Sequence, residues 1–75
     1  MDVKKREILL IGFGHKQTVT YTNHRGETRE RTITPWNLYY GTTEHHPEPQ
    51  WMLQVYDWEK DATRDYALSG IKVGG

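Results

Sequence analysis

The sequence contains no cysteine. That excludes a disulfide, a thiolate-based zinc site and a cysteine nucleophile, and it fits a reducing cytoplasm. Serine occurs once, as Ser69, in a turn-like Ser-Gly and outside any G-x-S-x-G elbow. The longest aliphatic run is Ile8–Ile11, far short of the roughly 20 apolar residues of a membrane helix and too short for a signal-peptide core. Neither sign of charge is in excess, since ten Lys/Arg balance ten Asp/Glu. A nonspecific grip on a phosphate backbone needs many cationic contacts and is therefore not expected from net charge. The basic residues are nonetheless uneven. Residues 1–31 hold seven Lys/Arg against four Asp/Glu, and residues 32–75 hold three against six, so a local basic patch is available.

With 75 residues, the chain makes one domain with a small core. Its hydrophobic periodicity is that of strands. Ile8–Gly12 reads as a short buried strand ending in GFG, which is no phosphate loop because a β-rich stretch follows rather than a helix. QTVTYTN alternates Val19 and Tyr21 with three threonines, NHRGE supplies a turn with Gly26 free to take positive φ, and TRERTIT returns with Arg29, Arg31 and Ile33 on one face. Pro35 is expected to end that strand or mark an edge, because it has no amide hydrogen. WNLYY begins a further extended segment, and the loop Gly41–Gln50 follows with two prolines. QWMLQVYD is a strand with large side chains on both faces: Trp51, Leu53 and Val55 on one, Met52 and Tyr56 on the other. After the polar turn Asp57–Thr63, TRDYAL places Arg64, Tyr66 and Leu68 on one face, and IKV forms a last short strand. The expected architecture is all-β, a small SH3-like or Sm-like barrel of five to six short antiparallel strands. The domain spans residues 8–73, between a flexible N-terminus (1–7) and a C-terminal tail (74–75).

Chemistry-bearing patterns are few. His45 and His46 with Glu44 and Glu48 lack H-E-x-x-H spacing, and the prolines oppose the helix that motif needs, so the segment reads as a polar loop. The carboxylates form no marked acid/base pair. No catalytic residue, cofactor or metal is expected, and the chain reads as a binding module rather than an enzyme. The aromatic content is more informative: three Trp, five Tyr and one Phe. Trp36, Trp51 and Tyr21 are assigned to the core. Tyr39, Tyr56 and Tyr66 are available to either core or surface. Arg31 and Arg64 lie inside strands, and their sequence neighbours Glu30 and Asp65 point to the opposite face. Each arginine therefore needs a distant carboxylate or a ligand anion. Arginines beside tyrosines on one sheet face suit single-stranded nucleic acid, with rings stacking on bases and guanidinium groups meeting phosphates.

VTYTNHRGETRERTITP, then WNLYYG, then QWMLQVYDWEKDATRDYALSGI together resemble the WYL domain family. Tyr21, Gly26, Arg31, Ile33 and Pro35 match its hairpin, Trp51 and Leu53 the outer signature residues, and Tyr56–Asp57 the continuation. Arg64, Tyr66, Leu68 and Ile71 match the closing segment. The resemblance implies a bacterial ligand-sensing domain linked to transcription regulation, usually placed behind a helix-turn-helix, which binds single-stranded nucleic acid or a nucleotide-like anion. Carried onto this chain, the binding residues are Arg31, Met52 and Arg64, with Tyr39 and Tyr66 beside them. Met52 stands in place of the signature tyrosine, and Gly70 in place of an arginine. The alternative is a protein-interaction or self-association module, with a regulator protein or a second copy of the chain as its partner. The terminal Gly74–Gly75 also resembles ubiquitin-like modifiers, but no helix of the length those folds require is visible.

Overall fold

The computed structural model describes residues 12–73. The strand expected at Ile8–Gly12 and both expected tails lie outside or at the margin of that range. Five antiparallel strands form one sheet: β1 (Gln17–Thr22), β2 (Thr28–Gly41), β3 (Gln50–Asp57), β4 (Ala62–Ala67) and β5 (Ile71–Val73). A single 3-10 turn, η1 (Leu68–Gly70), separates β4 from β5. The spatial order is β4-β3-β2-β1-β5. The β1–β2 hairpin follows the threonine-rich alternation, pairing Gln17 with Ile33 and Thr22 with Thr28. Gly26 takes φ +83° in its turn, a conformation that costs residues with a Cβ.

Strand β2 decides the shape of the molecule. Its 14 residues would extend roughly 46 Å if straight, yet the longest dimension of the protein is 29 Å. The strand therefore bends. The bend coincides with a bulge: Pro35 pairs with Val55 and Asn37 with Gln54, leaving Trp36 without a partner on β3. Pro35 thus does not end the strand, nor does it lie at a sheet edge. Its carbonyl accepts from the Gly14 amide at 2.8 Å, so its nitrogen faces that same side, beyond the point where β1 pairing stops at Ile33. No ladder bond is lost there.

The core occupies one face and comprises Val19, Tyr21, Ile33, Leu53, Val55, Tyr66, Leu68 and Ile71. The sheet curls around it. In a flat sheet β1 and β4 would lie roughly 14 Å apart, but the Tyr21 and Tyr66 rings stack with centroids 3.9 Å apart. The Tyr21 hydroxyl accepts a hydrogen bond from the buried Ala67 amide at 3.1 Å. The expected closed barrel is nevertheless not formed. Strands β4 and β5 are the two ends of the order and do not pair. The turn η1 lies between them, so the sheet remains open.

Two of the three aromatic core assignments also fail. Tyr21 is buried, but Trp36 is 54 % and Trp51 49 % exposed. Trp36 is the extra residue of the bulge and falls out of the alternation. Trp51 lies one position beyond Met52, where pairing with β4 ends, so its face has no strand to cover it. It meets Tyr40 edge-on at 5.3 Å instead.

Gly70 has a packing explanation. A Cβ there would lie 2.3 Å from the Thr22 carbonyl oxygen. Gly70→Ala is expected to cost about 1–3 kcal/mol through overpacking, read as a lowered urea midpoint, and Gly70→Arg at least as much. An arginine therefore does not fit this backbone without movement of β1.

Candidate nucleic-acid and anion interface

The bend in β2 brings the two loops at its ends together and encloses a cleft of about 620 Å³. Its floor is the outer margin of the core, formed by the Tyr21–Tyr66 stack and Asp57. Its walls carry Arg29 and Arg31 from β2 and Arg64 from β4. Alternation explains this. Arg29, Arg31 and Ile33 share a face, as do Arg64 and Tyr66, and curling turns both sets inward. Three cationic side chains, from two strands that are not sheet neighbours, thus reach one cavity.

Their environments differ. The Arg31 side chain is only 14 % exposed and meets Glu59, itself 53 % exposed, at 3.4 Å. This is a long, single contact for a group with five N–H donors, and it is the only hydrogen bond of the Arg31 side chain among the described residues. Arg64 is exposed and has no ion-pair partner among the described residues. An anion entering the cleft finds one free guanidinium and one that is weakly held.

The floor is rigid. Asp57 is 2 % exposed. Its Oδ2 accepts from the Tyr66 hydroxyl at 2.8 Å, and its Oδ1 accepts from the Glu59 and Lys60 amides at 3.0 and 3.1 Å. Those bonds fix the turn that carries Lys60 into the cleft. Burial, followed by the hydrogen bond and charge of Asp57, holds the Tyr66 phenol above the ordinary tyrosine range. Burial also raises Tyr21, against a smaller opposing effect of the Ala67 amide and Arg31. Both shifts favour the neutral phenol in the folded state. The unfolded chain therefore releases these protons first, and the stability they give is present below about pH 10 and lost as pH rises above it. The urea midpoint is expected to be flat up to about pH 9 and to fall beyond about pH 10.

The other candidate residues lie elsewhere. Met52 is fully buried, paired between Tyr39 and Ala67 on the second face, and does not reach the cleft. Tyr39 is half-buried on that same face. Burial, then the adjacent Asp65 carboxylate, raises its phenol. Tyr66 lines the cleft as part of its floor. Sequence reasoning did not name Arg29, Lys60, Asp57 or His24 as site residues and assigned His45 and His46 to a polar loop; all six line the cleft. The alternation that places Arg31 inward also signals Arg29. The histidines have no local signal, because residues 24 and 45–46 meet only through the bend in β2.

The fold is an open, curled antiparallel sheet with a charged cleft, and no cluster of metal-ligating side chains lies among the described residues. The chain matches the WYL domain over residues 11–73, and it belongs to that family. WYL domains are non-catalytic regulatory modules, so the chain is not an enzyme. Comparison with curated proteins and with solved structures finds no match. Among the described residues no helix is long and apolar enough to cross a membrane.

Proposed function

We propose that this WYL domain is a ligand-sensing module of the cytoplasm, linked to transcription regulation, which holds a single-stranded nucleic acid or a nucleotide-like anion in the cleft. Arg31 and Arg64 contact phosphate, and Arg29 and Lys60 add to the attraction. The observation that carries the reading is the convergence of Arg31 and Arg64 on one cavity, with a single long contact to Glu59 as the only ion pair between them among the described residues. An incoming phosphate offers Arg31 a bidentate partner in place of Glu59. Met52 and Tyr39, being outside the cleft, are not ligand contacts in this reading.

The test is a titration with labelled oligonucleotides and nucleotides at two salt concentrations. Affinity falls as salt rises. Arg31→Ala and Arg64→Ala each weaken binding by about tenfold and reduce the salt slope by about one, without unfolding the domain. Unchanged affinity in both variants contradicts the assignment.

A second reading is favoured by a different surface. Tyr40 and Trp51 meet edge-on and are 60 % and 49 % exposed, an aromatic pair of the kind that protein contacts use. Self-association through it predicts a sedimentation coefficient that rises with protein concentration and becomes constant in Trp51→Ala.

A further inference from the structure

The arginines do not account for the mouth of the cleft, where three imidazoles from two separate loops meet. The rings of His24 and His45 stack with centroids 4.3 Å apart and 12° between planes, and His46 approaches His24 edge-on at 5.9 Å. Backbone bonds set both loops. In the β1–β2 turn, Asn23 Oδ1 accepts from the Arg25 and Glu27 amides at 2.9 and 3.0 Å. In the β2–β3 loop, Thr43 and His46 exchange two backbone hydrogen bonds, and the Thr43 hydroxyl accepts from the His46 amide at 3.1 Å. The imidazoles are thus presented by anchored turns.

The trio holds no metal-binding geometry among the described residues. Its charged surroundings are Arg25 and Glu27 on the hairpin turn and Glu44 on the β2–β3 loop. Arg29, Arg31, Asp57, Lys60 and Arg64 line the same cleft, while the Asp65 carboxylate is turned to Tyr39 on the other face. Glu27 already accepts from the Asn23 side chain at 3.2 Å. Like charges on two rings at stacking distance repel each other. His46 is held below the ordinary histidine range by burial and then by His24 and His45. An anion placed among the rings offsets the repulsion between them but not the burial of His46.

We propose that His24, His45 and His46 form a second anion subsite at the mouth of the cleft, which takes up a proton as a phosphate group enters. This rests on the reading that the cleft binds a phosphate-bearing ligand, and it narrows the class. The ligand carries at least two phosphate groups, one on Arg31 and Arg64 and one at the histidines, as successive phosphodiesters of a short single strand do.

The probe is a thymidine trinucleotide without terminal phosphates, whose phosphodiesters stay ionised throughout the histidine range. Its affinity is measured at about pH 5.5 and about pH 7.5, on either side of the ordinary histidine value, for the wild type and for His24→Asn/His45→Asn. The wild type is expected to bind about tenfold more tightly at the lower pH. The double variant, altered at two exposed positions, is expected to lose that difference while keeping its sensitivity to Arg31→Ala. Calorimetry of the wild type in buffers of different ionisation enthalpy is expected to give uptake of about one proton near pH 6.5. Wild-type binding that is independent of pH, an equal pH dependence in the double variant, or zero proton uptake overturns the subsite and leaves the arginine reading standing. Absence of binding at both pH values, or binding indifferent to Arg31→Ala and Arg64→Ala, removes the underlying reading and the subsite together.

Discussion

Asp57→Ala is expected to remove about 3 kcal/mol of folding stability. The carboxylate is buried and accepts three hydrogen bonds, from the Tyr66 hydroxyl and the Glu59 and Lys60 amides. Alanine leaves the buried Tyr66 hydroxyl and the two part-buried amides without their acceptor. Each unsatisfied buried donor costs about 1–3 kcal/mol, and neighbouring losses overlap in part. A domain of this size has roughly 3–5 kcal/mol in hand, so the variant keeps at most about 2 kcal/mol and is expected to be partly unfolded at ambient temperature. Asp57→Asn separates charge from geometry. Its amide oxygen can serve both backbone amides, and its NH2 can donate to the Tyr66 hydroxyl, with the loss of one favourable orientation. About 1 kcal/mol is expected. Urea unfolding of the two variants, followed by tryptophan fluorescence, measures the difference. Equal losses would mean that the hydrogen-bond geometry does not matter.

Met52→Ala is expected to cost about 2–5 kcal/mol, the range for emptying a fully buried long apolar side chain. Met52→Leu conserves volume and is expected to cost under about 1.5 kcal/mol. The comparison also decides whether this position acts in binding. Met52 lies between Tyr39 and Ala67 on the face opposite the main core, away from the cleft. Met52→Leu is therefore expected to leave oligonucleotide affinity unchanged. A tenfold loss in a folded Met52→Leu protein would place the ligand on the second face instead.

The legible part of this fold was local. Alternation in Gln17–Thr22 and Thr28–Thr34, the turn at Gly26 and the inward direction of Arg31, Arg64 and Tyr66 all follow from a period of two and a tight turn. The large side chains on both faces of Gln50–Asp57 also had a visible meaning. Leu53 and Val55 enter the main core, while Met52 is buried on the other side. What the sequence concealed depends on the bend. A proline inside a long strand is ambiguous until the position of the neighbouring strand's end is known. Pro35 reads as a terminator, although β1 simply stops short of it. The bulge at Trp36 then ejects a tryptophan that composition assigns to the core. The same bend joins the turn at His24 to the loop at His45 and His46, so the mouth of the cleft has no signature in any short stretch. Barrel closure was overestimated for a related reason. Strand count and alternation fix the inward face, but they do not reveal that β4 and β5, joined through Leu68–Gly70, end the sheet on opposite sides without pairing.

The central claim is that the curled face, and not the flat threonine-bearing one, receives the ligand. Amide chemical-shift mapping during titration with a short single-stranded oligonucleotide tests it most directly. The account predicts perturbations at Asn23–Glu27, Arg29, Arg31, Thr43–His46 and Lys60–Tyr66, with little change at Thr18, Thr20 and Lys72. Perturbations centred on Thr18, Thr20, Thr32 and Lys72, with the cleft residues unmoved, would contradict it.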